Sequence, residues 1–187
     1  MKNYTNYEFV LVLRDVDENT PGLEDAMFEA GCDDAMISYK NGVVSLTFDR
    51  KAANIQDAIL SAIGSIESSS LNTSVDHIEG AFVTLSEIAE RSGFTKQAIS
   101  LFIQGKRGNG HFPIPFTGVN STSPIWRWAD VLLWLFNNKK IEHTAEIEEA
   151  AIIDDINARL YMRKFANMAS HLTKSDIKNL TQGIKKK

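Results

Sequence analysis

The chain has 187 residues, 43% of them hydrophobic and 24% charged, with a formal net charge of −4 at pH 7. That length holds one large or two small domains of ordinary globular composition, and no apolar run approaches the length of a membrane span. A single cysteine, Cys32, excludes an intramolecular disulfide, and the opening MKNYTNYEFV lacks a signal peptide's apolar core, so the expected compartment is the cytoplasm.

Residues 7–13, YEFVLVL, alternate and are rich in β-formers, which predicts a strand. Thr20-Pro21 offers an N-cap followed by a proline in the first helical turn. Leu23, Ala26, Met27 and Ala30 then form a helical stripe that Gly31 stops. Ala35–Tyr39 and Val43–Phe48 flank Asn41-Gly42, the strongest short hairpin signal. Asn54 caps a second helix carrying Ile55, Ala58, Ile59, Ala62, Ile63 and Ile66, and Leu71–Glu79 is read as a last strand.

The order is β-α-β-β-α-β, which predicts a ferredoxin-like α+β domain over residues 1–80 with both helices on one sheet face. This half holds five basic and fourteen acidic residues, a balance of −9. It should face away from a polyanion. Exposed aromatics with basic neighbours, as an RNA-binding sheet would need, are not evident. Homodimerisation or binding of a protein partner is the preferred role of this acidic half, with ligand sensing second.

Residues 81–140 point to DNA. In TLSEIAERSGFTKQAISLFIQ, Thr84 and Glu87 have the spacing of a capping box, and Gly93 sits where a turn needs positive φ. Thr95 caps a second helix whose Ala98, Ile99 and Phe102 face inward. At about 100° per residue, Lys96, Gln97, Ser100 and Gln104 share the outer face, with Ile103 beside it. Such N-terminal polar residues are what a recognition helix presents to base edges: Gln pairs with adenine, Lys with guanine, Ser with either. Gly105-Lys106-Arg107-Gly108 follows at once, then an extended segment with Phe112-Pro113-x-Pro115, a polar loop Thr117–Pro124, and a helix opening near Ala129-Asp130.

On the helix pair, Phe112-Pro113-x-Pro115 as a strand, and Trp126-Arg127-Trp128 leading into the Ala129–Leu135 helix, Thr84–Phe136 resembles the winged helix-turn-helix of AlpA-type phage regulators, excisionases and the MerR superfamily. The likeness covers under a third of the chain. It implies a wing residue on the DNA backbone or in the minor groove, a role that carries onto Arg127 or the Lys106-Arg107 pair. The chain departs from the family at the wing tip, Thr117–Ser123, which is neutral where Arg or Lys is common. Segment charge agrees with a DNA-facing role. Residues 84–140 hold seven basic and three acidic residues, a balance of +4 against +1 for 141–187.

Thr144–Leu172 reads as one long helix in the C-terminal segment, 141–187. Ile153, Ile156 and Leu160, then Tyr161, Phe165, Met168 and Leu172, make two drifting stripes. These suit packing against the apolar Trp128–Phe136 helix or a dimer arm equally well. Thr173–Leu180 suggests a short further helix, and Lys185–Lys187 a basic tail.

The four histidines form no metal spacing, and no nucleophile elbow, Walker loop or dinucleotide fingerprint occurs, so neither catalysis nor a cofactor is expected. The expected function is a sequence-specific regulator of prokaryotic or phage type that binds double-stranded DNA as a homodimer. Its DNA-binding residues would be Thr95, Lys96, Gln97, Ser100, Gln104, Lys106, Arg107 and Arg127. The alternatives are an antitoxin whose N-terminal half binds a toxin while the winged domain autoregulates, and a module that binds protein rather than DNA.

Overall fold

The structure, a computed structural model, describes residues 4–142 and 145–165. Within them the protein is mixed α+β, with six helices, one four-stranded antiparallel sheet and one two-stranded sheet. Strand β1 (Thr5–Arg14) is followed by α1 (Leu23–Glu29), β2 (Ala35–Lys40), β3 (Val43–Ala52), α2 (Ile55–Glu67) and β4 (Ser74–Ile78). The large sheet runs in the order β2-β3-β1-β4.

Alternation decides the buried face. Phe9 and Leu11 lie opposite Phe48 and Leu46, and the Phe9 and Phe48 rings stack at 5.3 Å. Leu23 and Met27 from α1, with Ile55, Ala58, Ile59, Ala62, Ile63 and Ile66 from α2, complete that core. The β2–β3 turn places Asn41 and Gly42 at φ 53° and 77°, both in the left-handed region that a two-residue hairpin of this kind requires.

The other sheet face is mostly polar. Ser38 pairs with Ser45, Met36 and Val10 flank Thr47, and Val12 lies between Ser45 and His77. The small hydroxyls there leave less apolar surface to drive association than an uncovered sheet would suggest.

Three local expectations are corrected here. Thr20 does not cap α1. Its hydroxyl accepts from the Asp17 N–H at 2.9 Å while its own N–H donates to the Asp17 carbonyl, so the hydroxyl is committed to the preceding turn. The helix starts at Leu23 behind Gly22 at φ 70°, without a side-chain cap. Leu71–Thr73 precede the last strand; Thr73 bonds the Arg14 carbonyl through its hydroxyl.

Phe112–Pro115 is no strand either. Pro113 and Pro115 cannot donate to a ladder, and the Trp126 indole uses the Pro113 carbonyl. Instead β6 (Ile125–Arg127) pairs with β5 (Phe82–Thr84), a strand that sequence reading did not find, and with Thr117 through one bridge.

Between these strands lie α3 (Leu85–Ser92) and α4 (Lys96–Ile103), and β6 leads into α5 (Trp128–Asn137). Their core joins Val83, Ile88, Ala89, Ile99, Phe102, Trp126, Val131, Trp134 and Leu135. Helix α6 (Ala145–Phe165) closes the described chain; Met168, Leu172, Thr173–Leu180 and Lys185–Lys187 lie outside the described residues.

Helix α6 packs inside the molecule, but against more than α5. Ile156 and Leu160 are buried in the core of the four-stranded sheet, with Ile152 and Ile153 beside them. Asn157 accepts from the Ile78 N–H at 2.7 Å and donates to the Ile78 carbonyl at 2.8 Å, pairing the outer edge of β4 as a further strand would. Arg163 bridges Glu67 and the Val75 carbonyl, and Lys164 reaches Asp76 at 2.7 Å. An edge strand's unpaired groups are thereby covered. No helix among the described residues is long and apolar enough to cross a membrane.

Candidate nucleic-acid interface

The α3–α4 pair is built by its termini. Thr84 Oγ1 accepts from the Glu87 N–H, and Glu87 accepts from the Thr84 N–H at 2.7 Å, a complete capping box. Those bonds hold the Glu87 carboxyl below the usual carboxylate range. Gly93 ends α3 at φ 72°, and Thr95 Oγ1 accepts from the Ala98 N–H at 3.1 Å to start α4. Ala98, Ile99 and Phe102 are buried, so helical geometry leaves the opposite face outward.

That face holds the expected residues. Thr95, Lys96, Gln97 and Gln104 are exposed, and Ser100 is half-buried. The Gln104 amide donates to Ser100 Oγ at 2.9 Å, so these two side chains present themselves as a pair. Ile103 is half-buried and packs on the core, which narrows the polar face on that side.

Lys106 and Arg107 stand on a shaped loop rather than a loose tail. Gly105, at φ 66°, lets the Lys106 N–H return to the Leu101 carbonyl and the Gly105 N–H to that of Phe102, a Schellman closure of α4. The loop is then fastened to α5. The Trp134 indole donates to the Gly110 carbonyl at 2.9 Å, and the Asn109 N–H to Asn138 Oδ1 at 3.1 Å. Gly108, at φ 84°, adjoins the Trp134 ring: a Cβ there would be 3.0 Å from the ring edge. Both cations are exposed, and the Arg107 guanidinium lies 5.8 Å from the Phe102 ring.

Arg127 is engaged elsewhere. It forms an ion pair with Asp154 of α6 and lies over Phe116 at 4.6 Å and Phe82 at 5.8 Å. The pair ties the small sheet to α6, so the guanidinium expected to meet phosphate has an acidic partner within the chain. An open cleft of about 450 Å³ next to it, between α5 and α6, is lined by Asp130, Asp154 and Asp155. That side of α5 is acidic and unsuited to a polyanion.

Ion pairing separates the cations into two groups. Arg14, Arg50, Arg127, Arg159, Arg163 and Lys164 each have an acidic partner within 4.0 Å, whereas Lys40, Lys51, Arg91, Lys96, Lys106, Arg107, Lys139 and Lys140 have none among the described residues; five of these eight stand on α4 or just after α4 and α5. Lys139 and Lys140 lie outside the contact set read from sequence; what the sequence shows of them is a basic pair just after the apolar Trp128–Phe136 helix. Among the described residues no three His, Cys, Asp or Glu side chains converge as a metal ion would require. Comparison of the chain with protein-family models, with curated proteins and with solved structures gives no match.

Proposed function

We propose that residues 81–142 form a winged helix-turn-helix that reads duplex DNA through α4, carried beside a ferredoxin-like N-terminal unit. The observation that carries this reading is continuity. The polar face Lys96, Gln97, Ser100 and Gln104 runs directly into a fixed loop bearing Lys106 and Arg107, and none of its three cations has an acidic partner among the described residues. Unneutralised cations on a helix and its following loop, beside hydrogen-bonding side chains, are what base readout with phosphate anchoring requires. Arg127 is not part of the proposed contact set. One eight-residue helix buries too little for strong specificity, so binding as a homodimer is part of the proposal.

The test is selection and sequencing of duplexes retained by the full chain, followed by binding of Gln97→Ala to the selected site. The variant should lose roughly 1–3 kcal/mol on that site and little on random duplex. Equal losses on both would remove Gln97 from base readout, and a parent with no salt-dependent duplex binding would end the reading.

A second reading has its own observation. Ile114, Phe116 and Val119 are 83%, 53% and 67% exposed around the expected wing, an apolar surface suited to a protein partner. Ile114→Ser with Val119→Ser would then abolish partner binding while leaving DNA affinity intact.

A further inference from the structure

Packing brings together the segments that follow α4 and α5, and each carries a basic dipeptide. Helices α4 and α5 meet near their C-termini, where Phe102 and Trp134 lie 5.2 Å apart. Lys106-Arg107 follows one terminus and Lys139-Lys140 the other. The contacts that fasten the loop to α5 use Gly108 and Asn109 on one side and Asn138 on the other, so Arg107 and Lys139 each adjoin a contacting residue. All four cations are exposed, and none has an acidic partner among the described residues.

The backbone at Lys139 adds an independent observation. The Lys139 N–H returns to the Phe136 carbonyl and the Lys140 N–H to that of Leu135, closing α5 with Lys139 at φ 54°. This is the position where a helix end normally carries glycine. The other non-glycine residues at positive φ among those described are Asp15, Asn41 and His111, types that tolerate the left-handed region best. Lysine at this turn is therefore not explained by the turn. Complementing the helix dipole explains a cation near a C-terminus, but it does not explain why one occupies the strained position, nor why two such ends are packed together.

We propose that Lys139 and Lys140 form, with Lys106 and Arg107, a second grip on the phosphodiester backbone of duplex DNA, separate from the base-reading face of α4. The inference rests on the duplex-binding reading above and adds to it a contact region from the far end of α5. Because the loop is held by Trp134 and Asn138, the backbone that follows Lys106 and Arg107 is fixed against α5 before DNA arrives. The four cations follow the C-terminal ends of α4 and α5, whereas the acidic cleft with Asp130, Asp154 and Asp155 meets α5 at Ala129, Asp130 and Leu133, in its first two turns.

The experiment is a salt titration of full-length protein on a random 30-base-pair duplex, comparing the parent with Lys139→Gly, Lys140→Ala, and Lys51→Ala in β3. Each lysine that contacts phosphate contributes a slope of about 0.9 in log K against log salt, or about 3.5-fold in affinity between 50 and 200 mM. Lys139→Gly and Lys140→Ala should each flatten the slope by that amount, and Lys51→Ala should not. Lys139→Gly should also unfold at a temperature no lower than the parent, because glycine suits φ 54°; weaker binding then cannot be charged to unfolding. A parent that binds duplex while both variants keep its slope overturns the inference and leaves the duplex reading intact. Equal flattening by Lys51→Ala overturns it too, as a mere net-charge effect. A parent that binds no duplex removes both.

Discussion

Single residues decide whether the basic loop holds its shape. The Trp134 ring that Gly108 touches is itself buried and tied to the Gly110 carbonyl, so it cannot swing away from an added methyl group. Gly108→Ala combines that clash with positive φ and should cost about 1–3 kcal/mol in urea unfolding. Glu87 makes a second prediction, in pH. Its folded pKa is depressed by the Thr84 N–H, so its contribution is full above the ordinary glutamate value of about 4.3 and is lost as pH falls through the lower folded value. Asp76, lowered chiefly by its bond from Lys164, acts on the same acid limb. The stability gap between the parent and Glu87→Gln, measured by denaturant titration, should therefore be widest near neutral pH and close in stronger acid. Cys32 has no such exposure: burial pushes its thiol up, and its place in the core suits packing.

At the scale of elements, α6 is the part whose role sequence left open. Its stripe Ile153, Ile156 and Leu160 was legible from spacing, but spacing cannot name the surface a stripe meets. The structure seats it on the sheet core and on α5, and Asn157, invisible to any hydrophobic pattern, pairs the β4 edge. Asn157→Ala should cost about 1–3 kcal/mol by stripping partners from the Ile78 N–H and carbonyl. Leu160→Asp, which sequence alone would offer as a test of a dimer arm, should instead lower the unfolding temperature sharply. A variant of unchanged stability that merely dissociates, seen by sedimentation, would restore the dimer arm. Residues 112–115 show the converse failure: the family resemblance implied a strand over Phe112–Pro115, and two prolines without N–H donors left it unpaired.

For the whole molecule, the division into consecutive segments does not coincide with the division into cores. Residues 1–80 look self-sufficient in sequence, with two amphipathic helices and a hairpin. Their core nevertheless includes Ile156 and Leu160, and their sheet edge is finished by Asn157. The core of residues 83–141 includes no residue of α6. We therefore expect the fragment 81–142 to show cooperative unfolding alone, and fragment 1–80 to be markedly stabilised by a peptide of residues 145–165 added in trans. A fragment 1–80 indifferent to that peptide would return α6 to an accessory role.

What the sequence determined by itself was local. The Thr84–Glu87 capping box, Gly93, the Thr95 cap, the Asn41-Gly42 turn and the inward faces of α2 and α4 all follow from interactions within a few residues, which a linear string records in full. Tertiary structure decided the partners. It gave Arg127 to Asp154, laid α6 across the β4 edge, and set Asn138, next to Lys139, against the loop of Lys106 and Arg107. The reason is physical: hydrophobic periodicity says which face leaves water, and charge says which residues seek a counter-charge. Burial is non-directional, however, and the identity of the opposing surface is fixed only when all the elements compete for it together.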